Sequence, residues 1–136
     1  MKPHFLCCLV TATVACNVTD DRPETLAYIT ETVFVPSCGQ AECHSSMVKQ
    51  RGYAFDSVEA AQDSISNGGL VDVCATPPCT GADADSYLLT VITTQDIEGH
   101  RMPLGEPLAN KDIVLIANWI TDGADGYTPP PPPGQN

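Results

Sequence analysis

Aromatic and cationic side chains are both scarce in this chain of 136 residues. Phe, Trp and Tyr make up 6% of it, and six Lys and Arg stand against 17 Asp and Glu, which gives a net charge of −11. Because so few aromatics weaken a side-chain core, we expect a staple, a metal or a cofactor to complete this small domain. The scarcity of cations excludes nucleic acid as a partner, because phosphate binding needs a basic face.

A hydrophobic run long enough to anchor the chain in a bilayer is also missing. The apolar stretch at residues 5–15 is too short to span a membrane, and it follows a basic start that contains Lys2. This pattern predicts a secretory leader over residues 1–15. The sequence TVAC that ends at Cys16 resembles a bacterial lipobox, so we expect lipidation of Cys16, with cleavage by an ordinary signal peptidase as the alternative.

These features predict an exported protein that is lipid-anchored to a bacterial membrane and faces the periplasm or the cell surface. We expect no membrane contact besides the lipid. Cleavage of the leader removes Lys2 and no acidic residue, so the net charge of −11 becomes −12. An acidic surface can steer a basic partner, but solubility explains it more simply.

The rest of the chain reads as one domain at residues 23–126, between a tether at 16–22 and a tail at 127–136. No internal repeat and no strand pattern is found, so we predict an all-α fold of about four short helices joined by long loops. The prolines at 129–133 predict an extended polyproline segment, which we interpret as a frayed tail or a linker stub.

The first two predicted helices begin near Pro23 and near Asp56. Pro23 suits a first helical turn, and Pro36 should stop that helix just before Cys38. The sequence DSVE from Asp56 resembles a capping box, and the sequence NGG at residues 67–69 should end the second helix. The apolar positions at helical spacing are Leu26, Ile29 and Val33 in the first helix and Val58, Ala61 and Ile65 in the second.

Two further helices are predicted in the second half of the domain. Asp85 or Ser86 can cap the third helix. Asn110 is predicted to cap the fourth, and Gly123 to close it. The apolar positions are Tyr87, Leu88, Val91 and Ile92 in the third helix and Ile113, Ile116, Ala117 and Ile120 in the fourth, with Leu115 and Trp119 beside them.

Four of the seven cysteines belong to the domain. They form two pairs of identical spacing, Cys38 with Cys43 and Cys74 with Cys79, each separated by four residues. Only the first pair is followed directly by a histidine, His44, which gives the sequence CGQAECH. The two pairs therefore call for different interpretations.

The segment from Cys38 to His44 resembles the attachment signature of c-type cytochromes, in which two cysteines are followed directly by histidine. In that family each thiol adds across one haem vinyl group, and the adjacent imidazole is the proximal iron ligand. The common spacing is two residues, and the four-residue spacing resembles some multihaem cytochromes and the small exported lipoprotein cytochromes of myxobacteria and planctomycetes. The resemblance implies one covalent haem c on Cys38 and Cys43, with His44 as proximal ligand.

A second part of the resemblance lies near the C-terminus. Class I cytochromes c place a methionine ligand in a loop before the last helix. Here MPLG at residues 102–105 precedes a predicted helix that ends in WITDGA at 119–124. Pro36 before the first cysteine and SYL at 86–88 are also similar to the exported family. The resemblance covers roughly residues 24–126 and implies Met102 as the distal ligand.

Two other side chains bear on the choice of Met102. Met47 lies three residues after His44 and is therefore expected to stay on the proximal side. His100 is the competing sixth ligand. A loop methionine that merely packs on Trp119 is the alternative for Met102.

The resemblance implies a cytochrome c-like fold around one haem, electron transfer with a redox protein partner, and no enzymatic activity. With His44 and Met102 on iron, no coordination position is left for a substrate. Cys74 and Cys79 lack a following histidine, so we expect them to form a disulfide in an oxidising exported compartment.

Two alternatives to a haem protein stay open from the residues alone. The first is a haemless cytochrome c-like binding or scaffold module with two disulfides, one of them between Cys38 and Cys43. The second is a zinc site built from the four domain cysteines, although structural zinc pairs usually have shorter spacing.

Overall fold

A computed structural model describes residues 21–72, 77–78, 86–94 and 101–126. The described residues form helices and loops and contain no strand, which confirms the all-α prediction with about four helices. No helix among them is long and apolar enough to cross a membrane. The leader, Cys16, Cys74, Cys79, Asp85, His100 and the proline-rich tail lie outside the described residues.

The first helical region is continuous but changes its geometry. It consists of α1 (Leu26–Ile29), a π-helical segment (Thr30–Phe34), which we call the π segment, and α2 (Val35–Ser37). Pro23 was predicted in its first turn, which is wrong: the helix begins after Thr25, whose side chain accepts a hydrogen bond from the Tyr28 N–H. Pro36 lies inside α2, and the helix ends at Ser37, directly before Cys38 as expected. The predicted apolar positions Leu26, Ile29 and Val33 are all buried, and Thr30 and Phe34 are buried with them.

The helix α3 (Val58–Gly68) follows a loop that contains a short 3-10 turn (Gln50–Gly52). The capping box from Asp56 is wrong by one residue, because Ser57 occupies the N-cap and accepts from the Ala60 N–H. The carboxylate of Asp56 binds Ser46 instead. Ala61 and Ile65 are buried as predicted, and the helix ends at Gly68, with Gly69 at the C-cap at φ 63°.

The helix α4 (Tyr87–Thr93) buries Leu88, Val91 and Ile92, whereas Tyr87 is exposed and does not share that face. Ser86 precedes this helix at the N-cap position, but its hydroxyl caps no helical N–H. It accepts a hydrogen bond from the Asp72 N–H at 3.0 Å. The side chain therefore joins α4 to the preceding loop.

The helix α5 (Asn110–Thr121) begins one residue earlier than predicted, because Ala109 and not Asn110 is at the N-cap, and Asn110 is the first helical residue. The N–H groups of Gly123 and Ala124 donate to the carbonyls of Ile120 and Trp119, which closes the helix as predicted at Gly123. The fully buried positions are Leu115, Ile116, Trp119 and Ile120. The predicted stripe is thus rotated, with Ile113 and Ala117 half-buried at its edge.

One hydrophobic core joins all of these helices. α1 packs against α3 and α5, and α4 packs against α5. The Leu26 N–H donates to the Asp125 carbonyl at 3.1 Å, and the Arg22 guanidinium bonds the Asp112 carboxylate at 2.6 Å. These contacts tie the start of the domain to its last helix. Residues 38–57 and 101–109 are left as the loops that carry the predicted haem ligands.

Candidate functional site

The CGQAECH sequence begins where the first helical region ends. The Phe34 carbonyl accepts the N–H groups of Cys38 at 2.7 Å and Gly39 at 2.8 Å. The side chain of Gln40 donates to the Pro36 carbonyl at 2.7 Å. Carbonyls at a helix C-terminus lack partners within the helix, and here the first three residues of the motif supply them. The motif is therefore fixed to a packed helix at its start.

The remainder of the motif folds back on its own start. The Cys43 N–H donates to the Gln40 carbonyl at 2.9 Å, and the His44 N–H donates to the Cys38 carbonyl at 3.1 Å. The Ser45 hydroxyl donates to the Ala41 carbonyl at 3.1 Å. These bonds fold residues 38–45 into one compact turn that carries Cys38, Cys43 and His44.

The two thiols of this turn differ in their surroundings. Cys38 is half-buried against the hydrophobic core, Cys43 is exposed, and both are free cysteines. Burial, and then the neighbouring Cys43, raise the pKa of the Cys38 thiol to about 12. Without a bound metal, Cys38 therefore carries its proton at neutral pH.

The imidazole of His44 has one nitrogen committed to the protein. Its Nδ1 lies 3.3 Å from the Tyr53 carbonyl oxygen. A carbonyl only accepts, so this bond places the proton on Nδ1 and leaves the Nε2 lone pair for a metal. Histidine ligands of metals are typically held by such a bond from the other ring nitrogen.

The aromatic neighbours of His44 connect it to the core. The edge of its ring meets Phe55, with 5.6 Å between the ring centroids, and Phe55 in turn lies 5.2 Å from Phe34 of the π segment. The Phe55 N–H also donates to the His44 carbonyl at 2.6 Å. The imidazole is thus held by packing and by hydrogen bonds to residues 53–55.

Tyr53, Phe55, Ser46 and Asp56 support the site, and sequence reasoning missed all four in this role. The segment at residues 53–56 lies beside the motif only because the chain turns back through the 3-10 turn. No local pattern marks that reversal. Phe55 offered a usable signal, because it is one of three Phe in the chain and follows the motif closely.

Met102 lies in the other half of the domain. Its N–H donates to the Val91 carbonyl of α4 at 2.7 Å, and its half-buried side chain packs against the same core as Cys38. Its neighbour Leu104 is 70% exposed, so the loop turns towards solvent two residues later. This placement is compatible both with a ligand methionine and with one that only packs on the core.

The other residues singled out in the sequence are either exposed to solvent or outside the described residues. Met47 is 95% exposed. Cys16, Cys74, Cys79 and His100 lie outside the described residues. Within residues 21–72, 77–78, 86–94 and 101–126, no group of three or more His, Cys, Asp or Glu side chains forms a metal site. A haem iron takes at most two ligands from the protein, so a haem site needs no such group.

Comparison of the chain with protein-family models, with curated proteins and with solved structures finds no match.

Proposed function

We propose that the chain is an exported electron-transfer protein of the class I cytochrome c type, which holds one covalent haem through Cys38 and Cys43. The observation that carries this proposal is the orientation of His44. Its Nδ1 lies 3.3 Å from the Tyr53 carbonyl oxygen, which leaves Nε2 available in the same turn that carries the thiols of Cys38 and Cys43.

The residues of the turn fit the attachment of a haem. Cys38 packs against the core and Cys43 is exposed, and the two thiols would hold the haem through one covalent bond each. His44 follows Cys43 directly, and its ring is already fixed by Phe55. When bound, haem would supply a one-electron couple between ferric and ferrous iron.

Met102 is the proposed distal ligand. The bond from its N–H to Val91 fixes the backbone of the loop, and its half-buried side chain adjoins the shared core. A thioether ligand raises the reduction potential relative to a second histidine. Because both axial positions are then occupied, we propose electron transfer with a redox protein partner and no catalytic turnover. Lipidation at Cys16 would hold the exported domain at a membrane.

The test is the mass of the mature protein after expression with a cytochrome c maturation system. We expect one added haem, and we expect Cys38→Ala to weaken attachment and His44→Ala to remove proximal ligation. Cys74→Ala together with Cys79→Ala is the matched control and should leave attachment intact. An unmodified mass together with a disulfide between Cys38 and Cys43 would overturn the proposal in favour of the haemless module.

The proposed anchor has a separate test. Wild-type protein should begin at an acylated Cys16 and partition into detergent, and Cys16→Ser should release it or block its processing. An unacylated N-terminus at Asn17 or later in the wild type would contradict lipidation without affecting the haem proposal.

A further inference from the structure

Two segments that flank the 3-10 turn are joined side by side next to His44. The His44 ring donates to Tyr53, the Phe55 N–H donates to the His44 carbonyl, and both the N–H and the hydroxyl of Ser46 donate to the carboxylate of Asp56. We call these five residues the His44 clamp. One of its hydrogen bonds is made by the imidazole ring, and the other three are made by the His44 carbonyl and by Ser46.

Asp56 makes the strongest bonds of the clamp. Its Oδ2 lies 2.6 Å from the Ser46 nitrogen, and its Oδ1 lies 2.6 Å from the Ser46 hydroxyl oxygen. Hydrogen bonds to an ionised acceptor are shorter and stronger than those between neutral groups. These bonds, with a smaller contribution from Lys49, hold the pKa of Asp56 below its ordinary value. Asp56 therefore fixes Ser46, which is two residues beyond His44.

The other side of the clamp is rigid because α3 holds it. The buried hydroxyl of Ser64 accepts the Ala54 N–H at 2.8 Å and donates to the Ala54 carbonyl at 2.9 Å. Directly after Asp56, Ser57 caps the first turn of α3. Residues 53–56 thus form a platform fixed to a packed helix, and Asp56 is the group that ties the segment of His44 to this platform.

We propose that Asp56 is a positioning residue for His44. By holding Ser46 against the platform, it keeps the imidazole within reach of the Tyr53 carbonyl and so fixes the proton on Nδ1. Asp56 does not touch the ring and acts through the backbone between His44 and Ser46. Its significance for a metal-bound histidine depends on the proposed function, but the effect on the ring is a property of the chain itself.

The test measures the His44 ring in the full-length protein, purified with its haem where this is attached. Nitrogen-15 NMR of the imidazole reports which nitrogen carries the proton, and hydrogen exchange reports how well Nδ1–H and the Phe55 N–H are protected. Asp56→Ala is expected to increase both exchange rates roughly threefold to tenfold. In haem-loaded protein, it should also shift the reduction potential, because the Nδ1 bond tunes the basicity of the ligand.

Matched variants separate positioning from general stability. Asp63→Ala removes another carboxylate hydrogen bond, the one from Asn67 on the exposed side of α3, and should leave the His44 signals unchanged. Ser46→Ala keeps the backbone bond to Asp56 and should have a smaller effect than Asp56→Ala, and Ser46→Thr should restore the wild-type exchange rates. If Asp56→Ala does not fold, the comparison of Ser46→Ala with Ser46→Thr provides the same test.

Two results distinguish this inference from the proposed function. Exchange and tautomer of His44 that are identical in wild type and in the Asp56 and Ser46 variants would overturn the positioning role, even in a haem-loaded protein. A chain that never acquires haem but loses protection of Nδ1–H on Asp56→Ala would support the clamp and refute the cytochrome.

Discussion

Gly39 separates the first thiol of the motif from the rest of the turn, and the space around it is closed on one side by backbone. A Cβ atom at this position would lie 2.8 Å from the Phe55 carbonyl oxygen and 3.0 Å from the Asp56 Cα. These atoms belong to the platform that Ser64 fixes, so they have little freedom to move away. Glycine is therefore required for the motif to approach residues 55–56.

Gly39→Ala is the corresponding prediction. We expect it to lower the free energy of unfolding by about 1–3 kcal/mol, as overpacking of a close contact usually does, and to displace His44 from Tyr53. Gly105→Ala is the control, because a Cβ there meets nothing within 4 Å. Thermal or denaturant unfolding of both variants measures the difference, and equal stabilities would contradict a rigid platform.

Thr30 places a polar group in the core without a hydrogen-bond partner among the described residues. Its Oγ1 is buried in the π segment and has no hydrogen-bond partner among the described residues. Removing a hydroxyl from such a position removes a desolvation cost. We expect Thr30→Val to raise the free energy of unfolding by about 1 kcal/mol.

The control for Thr30 is available in the same segment. Thr32 is exposed, and its hydroxyl donates to the Tyr28 carbonyl at 2.7 Å, so Thr32→Val should be neutral or slightly destabilising. Denaturant unfolding of the two variants gives the comparison. Destabilisation by Thr30→Val would mean that the hydroxyl binds a group in the folded protein.

At the scale of the elements, the sequence located the four predicted helices of the described residues within a few positions, but it misjudged the N-caps of α3 and α5. Asp56 and Ser57 are adjacent, and both favour an N-cap. The choice between them is made by Ser46, ten residues earlier, which binds Asp56 and leaves Ser57 to cap α3. Such a partner is invisible to a local pattern, because it depends on the reversal of the chain between the two segments.

The helix faces were easier to predict than the ends, because burial follows a period that the sequence displays. Leu26, Ile29 and Val33 in the first helical region and Ala61 and Ile65 in α3 are all buried. The stripe of α5 was displaced because Leu115 and Trp119 are larger than Ala117 and take the central positions against the core. The two thiols and His44 could be predicted as parts of one site, because they are neighbours in the chain. The contacts that residues 53–56 make with them could not be predicted.

Ser64 connects α3 to the platform, and removal of its hydroxyl should weaken both. The hydroxyl is buried and binds both backbone groups of Ala54, so Ser64→Ala leaves those groups without a partner. We expect a loss of about 1–3 kcal/mol in the free energy of unfolding. Ser66→Ala, on the same helix, removes only a long bond from Gln62 and should have a small effect. Similar losses for both variants would show that Ser64 does not fix the platform.

The bonds between Ser46 and Asp56 should also make stability depend on pH. Because these bonds lower the pKa of Asp56 in the folded protein below the ordinary 3.8, their contribution is complete above that value. It is lost as the pH falls through the lowered value, where the folded carboxylate takes up a proton. Wild type should therefore exceed Asp56→Asn in stability near neutral pH, and the two should converge in strong acid. A difference that stays constant down to the lowest pH would exclude this role of the carboxylate.

At the scale of the whole molecule, the proposed ligands come from opposite halves of the chain. His44 belongs to the loop between α2 and α3, and Met102 belongs to the loop between α4 and α5. α4 and α5 pack on each other, and α5 also packs on α1. A haem held by both His44 and Met102 would therefore connect two loops that the helical core supports separately. Loss of one ligand should then change the site without unfolding the core.

Met102→Ala tests this arrangement in the haem-loaded protein. If Met102 is the distal ligand, the variant should lose the weak far-red absorption band of sulfur-to-iron coordination, lower its reduction potential and bind added imidazole. Its helical content should be retained, because Met102 is only half-buried at the edge of the core. Met47→Ala is the matched control, since Met47 is 95% exposed and should leave the band unchanged. His100→Ala decides between the two candidate ligands, and we expect it to leave the band intact. A high-spin haem produced by His100→Ala alone would assign the distal position to His100 and exclude Met102.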